Sequence, residues 1–376
     1  MPTTASNPSK VRVGIIGCGA ISNAYFTGCK TFPILEIVNC ADLDAARAQA
    51  KAAEFNIPRS GSVAQLLADP EVDLVVNLTI PRAHVEVNLS AIAESKHVFC
   101  EKPFSINRRD GRSVLAAAKS KGVLVGSAPD TFFGESHQAC RKLIDEGAVG
   151  QPVAAVAFMA CHGHESWHPS PAFYYDLGGG PMFDMGPYYL TALVNLMGPM
   201  TRVSGSTKIT FAERLITSQP LNGTKVEVKT PTHLAGTIDF ANGAIASVIM
   251  SFDIWHQNLP RIEIYGTEGT LAVPDPNGTG GDVLLRRNDH REWRNMPVFH
   301  AKIAGRGAGV ADMAYAIQNK ANGRIHRANG EMALHVVDAM QAFEESSSSG
   351  RHIELETSCA QPKAIPSGLT VGQLDD

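Results

Sequence analysis

What is missing from this sequence narrows its class first. There is no C-x-x-C pair, and the seven cysteines (Cys18, Cys29, Cys40, Cys100, Cys140, Cys161 and Cys359) are odd in number and scattered. That spacing argues against a disulfide framework and against a thiolate zinc site, and it predicts a reducing, cytoplasmic setting with no bound metal. No stretch approaches the roughly 18 apolar residues of a membrane-spanning helix. Residues 1–10 are rich in Pro, Ser and Thr and lack the apolar centre of an export signal. Neither sign of charge is in excess: the formal net charge is -4, which predicts neither a nucleic-acid nor a membrane-surface partner. Internal repeats are absent as well. With 44% hydrophobic and 19% charged residues, the chain reads as an ordinary globular protein that handles a small molecule.

At 376 residues the chain is too long for one comfortable core, and two domains are expected. The first begins with a β-branched apolar run from Lys10, broken by Gly17 and Gly19 and followed by a helical pattern over 20–31. A strand, a Gly-rich turn and a helix in that order suit a pyrophosphate: Gly17 for the tight turn, Gly19 for close approach, and the helix start at Ala20 and Ile21 to meet the charge. Ser22 stands where the third Gly or Ala of the usual fingerprint falls. A merely structural βα turn is the other reading. A second strand over 35–41 ends in Asp42, twenty positions after Ser22, where a carboxylate can accept both ribose hydroxyls and repel a 2′-phosphate. NAD is therefore expected, with Arg47 leaving NADP open. The alternative for Asp42 is the N-cap of a helix over 44–55.

The alternation continues with strands over 73–78, 96–100 and 123–127 and helices over 84–94 and 107–120, a doubly wound α/β pattern. Strand ends in such a sheet share one edge. The turn Thr79-Ile80-Pro81 with His84, and the segment Glu101-Lys102-Pro103, should therefore line the same crevice as Gly17 and Asp42. A lysine at the end of a buried strand is the first catalytic candidate, although most lysines are simply solvated. Pro81 and Pro103 stiffen their turns or merely punctuate them.

With these residues the sequence resembles the Gfo/Idh/MocA oxidoreductases, through Gly-Cys-Gly-Ala-Ile-Ser and Glu-Lys-Pro. The resemblance covers nearly the whole chain. It implies a Rossmann domain over 1–128 and an α+β domain over 129–376 whose open, largely antiparallel sheet commonly makes a subunit interface, so a homo-oligomer, dimer or tetramer.

The second half supports that class. It reads as one helix over 137–146, strands over 153–160, 201–209, 233–240, 244–252, 261–265, 270–273 and 282–286, and a late helix over 327–345 that Ser346 to Gly350 ends, before an extended tail. Asn-Gly inside Phe240-Ala-Asn-Gly-Ala244 is a hairpin signal. Asp184 and Tyr188, four apart at the start of a helical stretch, can share a face. They match the family's Asp-x-Gly-x-His/Tyr motif in its tyrosine form, as in glucose-fructose oxidoreductase and the dimeric dihydrodiol dehydrogenases. The resemblance places that pair beside Lys102. An ammonium there would lower the Tyr188 pKa and favour phenolate. The plainer reading makes Asp184 a cap and Tyr188 a packing residue.

Before that motif, Cys161-His162-Gly163-His164-Glu165-Ser166-Trp167-His168 gathers three histidines and one of only three tryptophans in the chain. Without a distant pair of ligands it is a poor metal site. His162, His164 and Trp167 suit hydroxyl binding and stacking on a sugar face, or a structural loop. The expected activity is hydride transfer between NAD(P) and a carbinol carbon of a sugar, polyol or related cyclic alcohol, with Lys102, Tyr188 and Asp184 as the proton-handling group. Two alternatives come with the resemblance: glycoside hydrolysis or elimination by transient oxidation, and a non-catalytic dinucleotide sensor.

Overall fold

The computed structural model describes residues 10–303 and 305–375; residues 1–9, read above as lacking an export signal, lie outside it. In the first half, strands β1 (Val11–Ile16), β2 (Leu35–Ala41), β3 (Arg59–Gly61), β4 (Leu74–Asn77), β5 (His97–Cys100) and β6 (Val125–Ser127) alternate with helices α1 (Ser22–Cys29), α2 (Ala45–Phe55), α3 (Val63–Ala68), α4 (His84–Ala93) and α5 (Arg108–Lys121). The strands pair in parallel in the order β3-β2-β1-β4-β5-β6. This is the doubly wound order, with its reversal between β1 and β4, next to the Gly17 turn. Burial on both faces explains the near-continuous apolar runs of β1, β2 and β4. The short β3 and α3 are absent from the sequence reading. Arg59–Gly61 has no apolar signal, but α3 is announced by a capping box between Ser62 and Gln65.

The second half opens with α6 (Glu135–Asp145) and β7 (Pro152–Ala160), then α7 (Gly180–Asp184), α8 (Gly186–Met197), β8 (Met200–Lys208), the small hairpin β9 (Glu213–Leu215) and β10 (Lys225–Glu227), β11 (His233–Phe240), β12 (Ile245–Ser251), β13 (Ile262–Gly266), β14 (Gly269–Val273), β15 (Leu284–Arg287) and β16 (Arg294–Asn295). Helices α9 (Ala308–Gln318) and α10 (Gly330–Ser349) and strand β17 (Ile353–Glu354) follow. The larger sheet runs β16-β15-β14-β13-β7-β12-β11-β8-β17. It is antiparallel except where β7 and β12 run parallel. The Asn-Gly turn closes the β11–β12 hairpin as expected, with Gly243 at φ 88° and Asn242 Oδ1 accepting from Ala244 N at 3.0 Å.

Two late helices bind the halves together. Helix α9 packs on α1, β1, β5 and β6, so the chain returns to the first sheet, and α10 packs on both β8 and α5. Arg108 of α5 donates from Nε to Asp338 of α10 at 2.6 Å, with both side chains buried. The serines after Glu345 do not end α10. Ser348 and Ser349 return their hydroxyls to the Glu345 carbonyl, and the stop comes at Gly350, in the left-handed region at φ 66°. The tail beyond Thr357 docks on its own chain: Ile365 and Leu374 are buried, and Asp375 pairs with Arg324 and Arg327.

Candidate active site

The Gly-rich turn forms at the end of β1. Gly17 sits at φ 100°, and a Cβ there would lie 2.7 Å from the Leu78 carbonyl group, so only glycine serves. Above Gly19 a Cβ would meet nothing within 4 Å, which leaves its outer side open. Ala20 and Ile21 are exposed at the start of α1, which carries no side-chain cap. Asp42 turns its carboxylate into this turn: Oδ2 accepts from Cys18 N at 2.8 Å and Oδ1 from Asp44 N at 2.9 Å, while Arg47 Nη1 stands 3.6 Å away. The N-cap of α2 is Asp44, which accepts from Ala46 N and Arg47 N, so the capping alternative for Asp42 does not hold.

Across the sheet edge, His84 is fully buried and its ring bridges two turns, Nδ1 to Pro103 O at 2.7 Å and Nε2 to Thr79 O at 3.0 Å. Both nitrogens face main-chain carbonyls, so His84 ties the turn at Thr79 to the turn at Pro103. Pro81 opens a short helical turn over Pro81–Ala83 beneath the exposed Ile80. Glu101 is buried, accepting from Tyr25 Oη at 2.9 Å and from Lys102 N at 2.7 Å.

Lys102 reaches across to the second half. Its Nζ donates to the Asp184 carbonyl at 2.7 Å and to Asp184 Oδ1 at 2.8 Å, and lies 5.2 Å from the centre of the Tyr188 ring. The turn between α7 and α8 makes this possible, since Asp184 ends one helix and Tyr188 lies in the first turn of the next. Burial opposes the lysine's charge, but Asp184, Tyr188 and Glu101 outweigh it and hold the ammonium well above its ordinary pKa. Burial likewise works against the Asp184 carboxylate, yet Lys102 and His164 bring it down to about 2. Tyr188 departs from the expectation drawn from sequence. Lys102 does pull its phenol down, but burial outweighs that attraction and the net shift is upward. The phenol is therefore the resting form.

The histidine loop is only partly gathered here. His164 Nε2 lies 3.3 Å from Asp184 Oδ2, and its ring packs edge-on against Tyr174, Phe252 and Trp167. His162 instead lies against Trp255, the two rings tilted by 35°, with Nδ1 3.8 Å from Glu165. Trp167 is 61% exposed and Trp255 71%, so neither is a buried floor. Glu165 is itself buried between Arg214, at 2.9 Å, and Tyr175, which fixes the loop to the β9–β10 hairpin. Sequence reading overlooked one polar neighbour of Tyr188: Arg306, whose Nη2 donates to Tyr188 Oη at 3.1 Å. Its only local sign was a basic residue set among glycines, Gly305-Arg306-Gly307-Ala308-Gly309, ahead of an apolar helix.

Two profiles cover this architecture. Residues 11–128 match the oxidoreductase family with an NAD-binding Rossmann fold, and residues 137–272 match the GFO/IDH/MocA C-terminal domain. The chain belongs to the Gfo/Idh/MocA oxidoreductases. It is 30% identical to the 1,5-anhydro-D-fructose reductase of Ensifer adhaerens over 79% of this chain and 89% of that protein. It is 32% identical to mouse trans-1,2-dihydrobenzene-1,2-diol dehydrogenase over 50% of this chain and 56% of that one. Among solved structures, levoglucosan dehydrogenase in complex with NADH and L-sorbose shares the fold, with a TM-score of 0.78 at 21% identity over 93% of this chain and 100% of that one. An NAD binding oxidoreductase from Klebsiella pneumoniae does so with the same TM-score at 22% identity, again over 93% of this chain and 100% of that one.

The residues of this Gfo/Idh/MocA chain fit the family's cofactor. The open side of Gly19, the uncapped start of α1 and the Asp42 carboxylate are groups that would suit the anion and ribose of a dinucleotide.

Proposed function

We propose that the chain is an NAD-dependent dehydrogenase or reductase for a carbinol carbon of a sugar, polyol or related cyclic alcohol, with Tyr188 as proton carrier, Lys102 as a fixed cation and Asp184 as its anchor. The observation that carries this reading is the pair of hydrogen bonds from Lys102 Nζ to the Asp184 carbonyl and carboxylate, which favours the charged lysine beside the Tyr188 ring. A permanently charged lysine is a poor base, whereas a buried neutral phenol can give its proton to a carbonyl oxygen and take it back in the reverse direction. The nicotinamide supplies the hydride chemistry. Gly17, Gly19, Ala20, Ile21, Asp42, Thr79, Pro81 and Glu101 would hold the dinucleotide, with His84 bracing their turns. His164 would present the substrate to Asp184, with His162 and Trp167 at the rim. Similarity to enzymes named for anhydrofructose, dihydrodiol and levoglucosan supports the substrate class.

Asp42 favours NAD over NADP. A division into a cofactor domain over 1–128 and a substrate and assembly domain over 129–376 goes with this reading. So does a cytoplasmic homo-oligomer, supported by seven unpaired thiols and by the half-buried Val156, Phe158 and Ile249 on the larger sheet.

The test is nicotinamide absorbance across a panel of sugars, polyols and cyclic diols. Turnover is expected, with Tyr188→Phe lowering kcat by about 10²- to 10⁴-fold while NAD binding persists. Bound NAD with no turnover on any member would replace this reading with the sensor. NAD that copurifies and is not consumed would replace it with transient oxidation of a glycoside.

A further inference from the structure

Arg306 stands at the candidate site without a role in the reading above. Its Nη2 donates to Tyr188 Oη at 3.1 Å and lies 3.4 Å from Asn277 Oδ1, and its guanidinium carbon is 5.4 Å from the centre of the Tyr188 ring. With Lys102 Nζ 5.2 Å from that centre, two cations attend one phenol. The other groups that act on Tyr188 are Glu101 at the end of β5, Asp184 at the end of α7 and Tyr174. Around Arg306 itself lie Asp130, Glu101 and Tyr25.

The arginine is delivered by a fixed backbone. A Cβ on Gly28 of α1 would lie 1.6 Å from the Arg306 carbonyl oxygen, so the loop rests directly on that helix. The amides of Gly307 and Gly309 both donate to the buried Asp130 Oδ2, at 2.8 and 3.1 Å. A loop held on both sides is suited to placing a charge with precision.

The direction of the hydrogen bond decides what it does. Guanidinium can only donate, so Tyr188 Oη accepts, and the phenol's own hydrogen is left to point at another acceptor. We propose that Arg306 is a positioning residue for the reaction, turning the Tyr188 hydroxyl so that its proton faces the substrate oxygen and holding the phenolate that remains. The inference rests on Tyr188 as the proton carrier. In the reductive direction the Tyr188 O–H bond breaks as an O–H bond forms on the substrate's carbonyl oxygen; the hydride that balances the reduction at carbon would be supplied by a bound reduced nicotinamide. The electron pair of the broken bond stays on Oη, which keeps a charge-assisted hydrogen bond from Arg306 until solvent returns a proton.

The test separates the pairing from the activity. In protein labelled with ¹³C at the tyrosine ζ carbon, the Tyr188 signal is assigned by its loss in Tyr188→Phe, and its titration is followed in wild type, Arg306→Gln and Arg306→Lys. Arg306→Gln should move the phenol ionisation upward by about one pH unit or more, and Arg306→Lys should restore most of it. On an active substrate, Arg306→Gln should lower kcat by about 10- to 100-fold with little change in KM, shift the alkaline limb of the pH profile, and add nothing in a Tyr188→Phe background. An unchanged titration in Arg306→Gln overturns the proposal whatever the substrate. So does a Tyr188→Phe enzyme with full activity, which removes the reading of Tyr188 while leaving the pairing visible in the titration. If Arg306→Gln does not fold, Arg306→Met carries the test on the same two readouts: an upward shift of the phenol titration with a lowered kcat supports the proposal, and a titration identical to wild type overturns it.

Discussion

Asp42 gives both carboxylate oxygens to main-chain amides while Arg47 waits 3.6 Å from one of them. Removing the carboxylate leaves that guanidinium beside the place where a 2′-phosphate would lie. Asp42→Ser should therefore shift the ratio of kcat/KM for NADP over NAD upward by about 10- to 100-fold, or about 1.4–2.7 kcal/mol. Initial rates with each cofactor measure it, and an unchanged ratio would mean that Asp42 does not face the ribose. Residues of this kind were legible because their signals are local: a carboxylate at a strand end, a lysine at another, and a pair four apart. Arg306 was not legible, since it stands 118 positions from Tyr188 with no period to connect them. The Tyr188 phenol was misjudged for a related reason. Its charged neighbour can be counted from sequence, whereas the burial that outweighs it depends on the packing of α8, every residue of which is buried.

Helices differ in how plainly they announce themselves. Helix α5 carries an Asn107 cap, a polar face and a left-handed glycine stop at Gly122, and sequence reading found it. Helix α9 went unnoticed because it is buried almost all round, from Ala308 through Ala316 with Tyr315 alone half-exposed, so no polar face marks a period of 3.6. The loop that leads into it makes a tight contact with α1. Gly28→Ala would drive a methyl into the Arg306 carbonyl at 1.6 Å, and either α1 or the 305–309 loop must move. A loss of about 3 kcal/mol is expected, read as a lower denaturant midpoint in purified protein, with Ala24→Gly on the same helix as the control for propensity. A variant as stable as wild type would show that the loop yields freely.

At the scale of the molecule, the Lys102–Asp184 pair joins a strand end of the first sheet to a helix of the second half, and the folded state depends on its ionisation. Asp184 has a pKa of about 2 in the fold, below the ordinary carboxylate value of 3.8. A depressed carboxylate stabilises above the unfolded pKa, and that contribution disappears as pH falls from about 4 to about 2. The stake is on the order of 2 kcal/mol. Urea unfolding at successive pH values should show wild type losing that much more over this window than Asp184→Asn, whereas parallel curves would place the carboxylate's ionisation outside the linkage. The change from a parallel sheet to a largely antiparallel one was legible from the order of the strand and helix patterns. The return of α9 to the first sheet was not, since nothing in a linear reading says which sheet a buried helix will cover.

That return limits how such chains can be recombined. A chimera joined near residue 129 that keeps this cofactor half and takes its remainder from a relative would set a foreign loop against Gly28, and that loop would carry its own tyrosine partner out of place if it could not settle on α1. Exchange among these enzymes therefore has a hidden unit of inheritance, in which α1 and the segment from Gly305 to Gln318 must travel together.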